Sequence, residues 1–384
     1  MSKYVCVECG YITQKWVGKC FGCQSWNSLK DEAEITRNKI TTRRPRSVEQ
    51  IELEECERIK TQIDEIDRVF GGGLVKGSLS LLGGEPGVGK STFMGELIKS
   101  LPKRSILYVS GEESEQQVAS RMKRINAQSE KLGIICENKW EIIQAILKDD
   151  KPEIFILDSI QTIYSEEIQS APGSPSQVRE VTFQIMNEVK AKNITCIVIG
   201  QITKDGGIAG PKMLEHMVDT VVYIEGDKDS QIRMFRTTKN RFGMTNEIGM
   251  FRMEKSGLMP INEYNSEPDE EFGEHSGTTL TSVVEGSRVL LVELQTLVSK
   301  YDSGVVKRNC EGFDSNRLNM IIAVMEKYLK VKLSSKDIFV NVTGGMKIRN
   351  GESDLSVMVA ILSSFMGFKF DKRTIILGEI GLSG

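Results

Sequence analysis

The sequence contains no apolar run near the roughly 20 residues that a bilayer-spanning helix needs. Its first ten residues, MSKYVCVECG, lack the apolar segment of a signal peptide. It also lacks a strong charge of either sign, since the formal net charge is −3 over 384 residues. We therefore expect a cytoplasmic protein with no membrane partner and no overall attraction to nucleic acid, although a local basic surface could still bind nucleic acid.

The bulk composition is that of a soluble globular protein. The sequence is 39% hydrophobic and 27% charged, which excludes a fibrous or a wholly disordered chain. A chain of 384 residues is too long for one ordinary hydrophobic core. Two or three domains are therefore expected.

Cysteine is concentrated at one end of the chain. Of the eight cysteines, four lie in the first 23 residues as two CxxC pairs: Cys6, Cys9, Cys20 and Cys23. A reducing cytoplasm disfavours disulfides, and two such pairs complete a closed tetrahedral site. The spacing predicts a small structural Zn²⁺ ribbon. We expect Trp16, Phe21 and Trp26 to cover its core, with stacking on a nucleobase as the alternative.

The stretch GGEPGVGKST at 83–92 predicts a phosphate-binding loop. Residues 84–91 fit the pattern G-x-x-x-x-G-K-[ST], between a predicted strand at 78–82 and a helix predicted from about Lys90. Backbone N–H groups of such a loop surround phosphates, Lys90 reaches the β- and γ-phosphates, and the Ser91 hydroxyl binds Mg²⁺. The predicted nucleotide contacts are Gly84, Glu85, Pro86, Gly87, Val88, Gly89, Lys90, Ser91 and Thr92.

Three further apolar segments each end in a polar side chain. EIFILD ends in Asp158, the expected Walker B carboxylate for Mg²⁺; ILYVS is followed by Glu112 and Glu113; and CIVIG is followed by Gln201. The carboxyl ends of such strands form the ligand-binding edge of an open α/β sheet. One glutamate could polarise the attacking water, and Gln201 could sense the γ-phosphate. Alternatively, the glutamates only begin a solvated helix.

Two basic segments follow. The glycine-rich loop after Gln201 carries Lys204 and Lys212, which either contact DNA or belong to an ordinary surface loop. Lys239 and Arg241 share one face of a strand by period-two alternation, and we identify no need for two cations there within one subunit. They could stabilise charge on a neighbouring subunit's γ-phosphate, as an arginine finger does. Alternatively, they are solvated charges that deter aggregation at a strand edge.

These motifs together resemble the RadA (Sms) family of bacterial DNA repair proteins. The resemblance covers nearly the whole chain and is carried by the four-cysteine segment, GGGLVKGSLSLLGGEPGVGKST, YVSGEES, LDSIQT, GPKMLEHMVD and KNRFG. It implies a RecA-like α/β ATPase core that uses ATP and Mg²⁺ and assembles as a homo-hexamer around DNA. It also implies a role in homologous recombination on single-stranded DNA and branched intermediates, alongside RecA.

The resemblance also assigns roles to individual residues. It makes Lys90, Ser91 and Asp158 the phosphate and Mg²⁺ contacts, prefers Glu112 over Glu113 as the catalytic glutamate, and makes Lys239 and Arg241 a pair that acts in trans. The family often has histidine where this chain has Gln201.

The expected domains are a Cys₄ zinc ribbon at 1–30, a linker at 31–50, the ATPase core at 51–262, an acidic linker at 263–279 and an α/β domain at 280–384. The resemblance makes the last a Lon-protease-like domain. Its nearest serine to the expected nucleophile, Ser353, is displaced by one position and precedes Asp354. Since the chain stops at GEIGLSG, before the expected dyad lysine, we interpret this domain as incomplete and non-proteolytic.

Three functions remain open at this point. The first is a DNA-dependent ATPase motor. The second is an ATP-switched module that binds DNA or RecA and hydrolyses slowly. The third and weakest is an ATP-dependent protease, because no Ser-Lys dyad is evident in the sequence.

Overall fold

The computed structural model describes residues 4–6, 8, 10–31, 57–201, 211–226, 231–261, 275–300, 305–343, 346–371 and 373–384. The chain divides into two compact units, Met1–Glu55 and Cys56–Gly384. Within the described ranges, no helix combines the length and apolarity that crossing a membrane requires.

The described part of the first unit is a three-stranded antiparallel ribbon. Its strands are β1 (Tyr4–Cys6), β2 (Ile12–Thr13) and β3 (Leu29–Asp31), with β1 in the middle. Cys6, Cys20 and Leu29 form its buried core, against which Tyr4 and Val17 pack.

The aromatic side chains of this ribbon lie on its surface. Trp16, Phe21 and Trp26 are 55%, 70% and 72% exposed, so the expectation that they cover the small core is wrong. The described core is instead made by Cys6, Cys20 and Leu29. Trp16 is held at the surface, where its indole N–H donates to the Leu29 carbonyl at 3.2 Å.

The second unit is built on a nine-stranded sheet in the order β14-β13-β12-β11-β6-β10-β9-β7-β8. Its six parallel strands are β6 (Leu79–Gly84), β7 (Ile106–Ser110), β8 (Leu132–Cys136), β9 (Ile154–Asp158), β10 (Thr195–Gln201) and β11 (Thr220–Glu225). Three antiparallel strands extend one side: β12 (Ile232–Asn240), β13 (Ile248–Glu254) and β14 (Gly257–Pro260). A separate two-stranded ribbon pairs β4 (Arg58–Ile59) with β5 (Leu74–Val75).

Helices cover both faces of this sheet. They are α1 (Asp64–Val69), α2 (Lys90–Ser100), α3 (Glu115–Arg124), α4 (Trp140–Asp150), α5 (Pro175–Lys192) and α6 (Pro211–Leu214). Alternate residues of β7 enter different cores: Tyr108 packs with the α2 and α3 side chains, whereas Leu107 and Val109 pack with those of α4 and α5. Burial on both faces explains why the parallel strands read as continuous apolar runs.

Local sequence signals set where the helices begin. Gly89, at φ +115°, precedes Lys90 in a conformation that glycine adopts without strain, and α2 starts there. Ser114 and Gln117 form a capping box at the start of α3. Ser174 caps α5, whose first residue is Pro175. The starts of α2 and α3 place the phosphate loop and the adjacent Glu112 and Glu113 at the same edge of the sheet.

The C-terminal part has a four-stranded sheet in the order β15-β16-β18-β17. Its elements are β15 (Thr278–Glu285), β16 (Arg288–Lys300), β17 (Arg308–Glu311), α7 (Ser315–Val324) with a π-helical turn at Met325–Leu329, β18 (Lys336–Val342) and α8 (Asp354–Met366). Strands and helices therefore alternate here, as expected for the predicted α/β domain. The domain boundaries themselves stay predictions.

This smaller sheet is joined to the large one by shared packing and a buried ion pair. Ile248 and Met250 of β13 belong to the same apolar cluster as the C-terminal core. The Glu65 carboxylate accepts from the Arg288 guanidinium at 2.7 and 3.0 Å. Because Glu65 is almost fully buried, this pair fixes the start of β16 against α1.

Candidate nucleotide site

The phosphate loop has the backbone that the sequence predicts. It follows β6 and opens α2, and Gly87 and Gly89 have φ values of +81° and +115°. A Cβ on Gly84 would lie 2.9 Å from the Val88 side chain, and one on Gly89 would lie 2.6 Å from that of Met253. The close packing around Gly84 and the positive φ of Gly89 therefore favour glycine at these two positions.

Lys90 is folded back over this loop. Its ammonium donates to the carbonyls of Gly84 and Glu85, each at 2.8 Å. Burial lowers the pKa of Lys90, while Asp158 and Glu112 raise it in part. A buried ammonium beside a glycine-rich loop that opens a helix fits the phosphates of a nucleotide.

Two oxygen ligands suitable for Mg²⁺ meet beside the loop. The Ser91 hydroxyl donates to the Asp158 carboxylate at 2.7 Å. The same carboxylate oxygen accepts from the Tyr108 hydroxyl at 2.6 Å. Burial, and then Asp158, raise the pKa of Tyr108 well above its usual value, so its hydroxyl stays a donor. A hard cation prefers such oxygen donors, and the pair fits Mg²⁺ held together with a nucleotide.

Glu112 lies within this site and is held from two sides. Its carboxylate accepts from the Ser159 hydroxyl at 2.5 Å and from the Gln201 amide at 2.7 Å. The strands that carry or precede Glu112, Ser159 and Gln201 are β7, β9 and β10, which are neighbours in the sheet. The carboxyl edge of the sheet therefore brings together Lys90, Ser91, Glu112, Asp158 and Gln201.

Glu113 is directed elsewhere. Its carboxylate forms an ion pair with Arg121 of α3. The backbone carbonyl of Glu113 accepts from Cys136 at 2.9 Å. Of the two adjacent glutamates, Glu112 is the one whose carboxylate contacts other residues of this site.

Lys239 and Arg241 lie at the opposite edge of the sheet. Lys239 is in β12, and Arg241 directly follows that strand. In the turn after β12, the Asn240 side chain accepts from the Phe242 N–H at 2.9 Å. The Lys239 ammonium donates to the carbonyls of Glu215 and Val218 at 2.6 and 2.8 Å.

Both cations have partners within the chain, which the sequence did not reveal. Arg241 donates to the Asp219 carboxylate at 3.0 Å. Burial, and then the nearby Arg241, lower the pKa of Lys239. Asp219 and Glu215 partly offset this effect of Arg241 on Lys239.

This cationic pair is remote from the phosphate loop of the same chain. Thr220 at the start of β11 pairs with Ser80 near the start of β6, whereas the phosphate loop follows the end of β6 at Gly84. The six residues of β6 separate the two edges by roughly 17 Å at the usual rise of a strand. Lys239 and Arg241 cannot bridge that distance to their own chain's nucleotide.

Only part of the candidate DNA loop belongs to the described residues. Lys204 lies outside the described residues, as does the rest of segment 202–210. Lys212, at the start of the short helix α6, is exposed. The segment nevertheless begins at Gln201, whose side chain contacts Glu112.

The ribbon brings three of its predicted zinc ligands together. The Sγ atoms of Cys6, Cys20 and Cys23 all lie within 4.8 Å of one another, and those of Cys6 and Cys23 are 3.6 Å apart. Zn–S bonds of about 2.3 Å in a tetrahedron give sulfurs roughly 3.8 Å apart, so this thiol set fits Zn²⁺. Cys9, the fourth predicted ligand, lies outside the described residues.

The C-terminal serine has the surroundings of a structural residue. Ser353 is 1% exposed, and its hydroxyl accepts from Thr281 at 3.1 Å. The next residue, Asp354, is fully buried and binds Arg317. A nucleophile needs access to its substrate and a base within hydrogen-bond reach. These contacts favour a packing role for Ser353.

The sequence did not predict three supporting hydrogen bonds. The Tyr108 hydroxyl donates to Asp158, and the Ser159 hydroxyl donates to Glu112. The Arg233 guanidinium donates to the Val88 carbonyl of the phosphate loop at 3.0 Å. A tyrosine or an arginine inside an apolar strand pattern is the available signal, because a buried polar group needs a partner. The sequence does not show which partner that is.

Family models match two parts of the chain. One, described as a rubredoxin metal binding domain, matches residues 4–31. The other, the KaiC ATPase family, matches residues 59–149, which contain the phosphate loop. The two matches agree with a metal-binding ribbon followed by a RecA/KaiC-like ATPase fold.

Curated relatives align along nearly the whole chain. The DNA repair protein RadA of Helicobacter pylori is 44% identical over 393 aligned residues, which cover 100% of this chain and 88% of the relative. RadA of Campylobacter jejuni is 44% identical over 99% of this chain and 87% of the relative. RadA of Bacillus subtilis is 40% identical over 100% and 86%.

A solved structure also resembles part of the chain. The crystal structure of a KaiC-like protein from Pyrococcus horikoshii aligns with 54% of this chain and 99% of its own, with a TM-score of 0.44 at 19% identity.

Proposed function

We propose, on the premise that this chain belongs to the RadA family of DNA repair proteins, that it is a DNA-dependent ATPase motor in homologous recombination. Membership follows from 40–44% identity to RadA proteins over nearly the whole chain. The chain carries an ATPase domain. Its proposed task is to extend heteroduplex and drive branch migration on single-stranded DNA and branched intermediates, with RecA as partner and as a homo-hexamer.

The proposed nucleotide chemistry uses the carboxyl edge of the sheet. Loop N–H groups and Lys90 bind the phosphates of ATP, and Ser91 and Asp158 provide oxygen ligands for Mg²⁺. Mg²⁺ supplies charge stabilisation to the transferring phosphoryl group when it is bound. Glu112 orients the attacking water, and Ser159 and Gln201 hold the Glu112 carboxylate in place.

The observation that carries the proposal is the separation of charges between the two sheet edges. Anion-binding groups of the phosphate loop lie at one end of β6, and Lys239 and Arg241 lie at the other. A second copy that presents its phosphate loop to this cationic edge would complete the site. Such head-to-tail contacts form a ring when the rotation between successive copies closes, and a closed ring is the assembly proposed here.

The same geometry offers a route from nucleotide to DNA. Gln201 contacts Glu112 and is the last residue of β10 before the glycine-rich segment. At the other side of that segment, the carbonyls of Glu215 and Val218 accept from Lys239. We propose that this segment, with Lys204 and Lys212, contacts DNA and responds to the nucleotide at both of its ends.

Steady-state ATP hydrolysis by the full chain, with and without single-stranded DNA, tests this function. We expect DNA to stimulate hydrolysis severalfold. Lys90→Ala should abolish hydrolysis under both conditions, because it removes the cation that binds the phosphates. Hydrolysis that is unaffected by DNA would contradict the motor.

One alternative function rests on a specific contact. Glu112 is held by two hydrogen bonds, which could keep it away from an attacking water. The chain would then be an ATP-switched module that binds DNA or RecA and hydrolyses slowly. Turnover that stays slow with DNA, together with DNA affinity that rises in ATP, would favour this alternative.

A further inference from the structure

Asp219 is a buried carboxylate at the same edge of the sheet as Lys239 and Arg241. It accepts two hydrogen bonds and has one further cation nearby. It is 2% exposed. One of its carboxylate oxygens accepts from the Leu79 N–H at 3.1 Å, and the other accepts from Arg241 at 3.0 Å and lies 3.6 Å from the Lys190 ammonium.

The backbone around Asp219 is held equally firmly. The Asp219 N–H donates to the Leu79 carbonyl at 2.8 Å, and the Asp219 carbonyl accepts from the Arg241 N–H at 3.0 Å. Leu79 is the first residue of β6, the strand that leads into the phosphate loop. Asp219 therefore links Arg241 directly to that strand.

The two members of the ion pair differ in exposure. The Asp219 side chain is 3% exposed, whereas that of Arg241 is 50% exposed. The carboxylate is fixed, and half of the Arg241 side chain is exposed. A guanidinium has five N–H donors in a rigid fork, so it can bind one carboxylate and still donate to a second anion.

We propose that Asp219 is the positioning residue for Arg241. It orients the guanidinium toward the γ-phosphate of a nucleotide bound by a second copy of this chain, and it connects that guanidinium to the strand carrying its own phosphate loop. This inference rests on the proposed function, in which Arg241 acts in trans. Prior fixation of Arg241 reduces the conformational entropy lost when the two copies engage.

Asp219→Asn tests the proposal with little change of shape. The carbonyl oxygen of the new side-chain amide can still accept from Leu79, but its NH₂ group faces Arg241 with donors instead of an acceptor. We expect kcat to fall roughly tenfold to hundredfold, the range of one charged hydrogen bond, with the dissociation constant for ATP unchanged. Lys190→Gln, which alters only the third contact of the carboxylate, should keep kcat near that of the wild type.

A double variant separates positioning from a merely structural role. If Asp219 acts through Arg241, Asp219→Asn combined with Arg241→Ala should hydrolyse ATP as fast as Arg241→Ala alone. A further loss equal to that of the single Asp219→Asn variant would overturn the proposal. Should Asp219→Asn not fold, Arg241→Lys replaces it: lysine pairs with Asp219 but lacks the fork, so kcat near the wild-type value would also overturn the proposal.

The outcomes also distinguish this inference from the function on which it rests. Undiminished hydrolysis in Arg241→Ala would refute the trans action itself. Diminished hydrolysis in Arg241→Ala with wild-type kcat in Asp219→Asn would refute only the positioning role.

Discussion

Charged side chains lie near both ends of the central strand β6, but the two groups are arranged differently. At the carboxyl end, Lys90 lies over backbone carbonyls and close to the acidic Asp158 and Glu112. At the amino end, a buried Asp219 binds an exposed Arg241. The first arrangement encloses a ligand site within the chain, whereas the second presents a cation outward. The difference is consistent with the proposal that one end binds the nucleotide and the other acts on a neighbouring copy.

Arg241→Ala gives the largest expected effect on this comparison. ATP hydrolysis should fall roughly 10³-fold while ATP binding is retained, because an arginine finger acts in the transition state and not in binding. Steady-state kinetics and nucleotide binding measured on the same preparation check this. Arg373→Ala, at an 89% exposed side chain outside the ATPase sheet, is the matched control.

Mixing variants shows whether Arg241 acts in trans. Lys90→Ala chains retain Arg241, and Arg241→Ala chains retain the phosphate loop. Mixed together, they should hydrolyse ATP faster than either alone, since a Lys90→Ala chain can donate its Arg241 to a neighbour. No gain at any mixing ratio would mean that the two ends of β6 do not meet between copies.

Glu112→Gln is expected to have the next largest effect. It should lower kcat roughly 10²-fold, the usual contribution of a positioned general base, and leave ATP affinity intact. Glu113→Gln is the control, because the Glu113 carboxylate pairs with Arg121 outside the site. Equal losses in both variants would argue that the adjacent glutamates only stabilise the start of α3.

Tyr108→Phe should have a moderate effect at the carboxyl end. It removes the hydroxyl that donates to Asp158 at 2.6 Å, and we expect unfolding free energy to fall by about 1–2 kcal/mol. Thermal and denaturant unfolding measure this. Tyr328→Phe, at a 43% exposed tyrosine, should be near neutral. Equal stabilities of the two variants would show that the Asp158 contact contributes nothing.

The smallest expected effect on phosphate chemistry comes from the ribbon. Cys20→Ser removes a ligand from the thiol set, so the ribbon should lose Zn²⁺ and unfold. Zinc content should fall, while ATP hydrolysis without DNA stays within about twofold, because the described contacts of Lys90, Asp158 and Glu112 come from the second unit. Loss of ATP binding in this variant would show that the ribbon is part of the nucleotide site.

The sequence predicted most of the carboxyl end of β6. A phosphate loop between an apolar strand and a helix, with polar residues ending the next strands, predicts local backbone and one common sheet edge. It did not predict that Tyr108 and Ser159 support Asp158 and Glu112, since those contacts join strands far apart in sequence. It also predicted that Trp16, Phe21 and Trp26 cover the core of the ribbon, whereas all three side chains are more than half exposed.

The sequence by itself determined the elements whose signals are local: the CxxC pairs, the glycines of the phosphate loop, the helix caps and the apolar strands. Only the tertiary structure decided that Lys239 and Arg241 lie at the opposite end of the sheet, beside Asp219. The reason is physical, because the neighbours of β6 are set by parallel pairing with β10 and β11, which lie far along the chain. That pairing separates Arg241 from its own phosphate loop and joins it to Asp219.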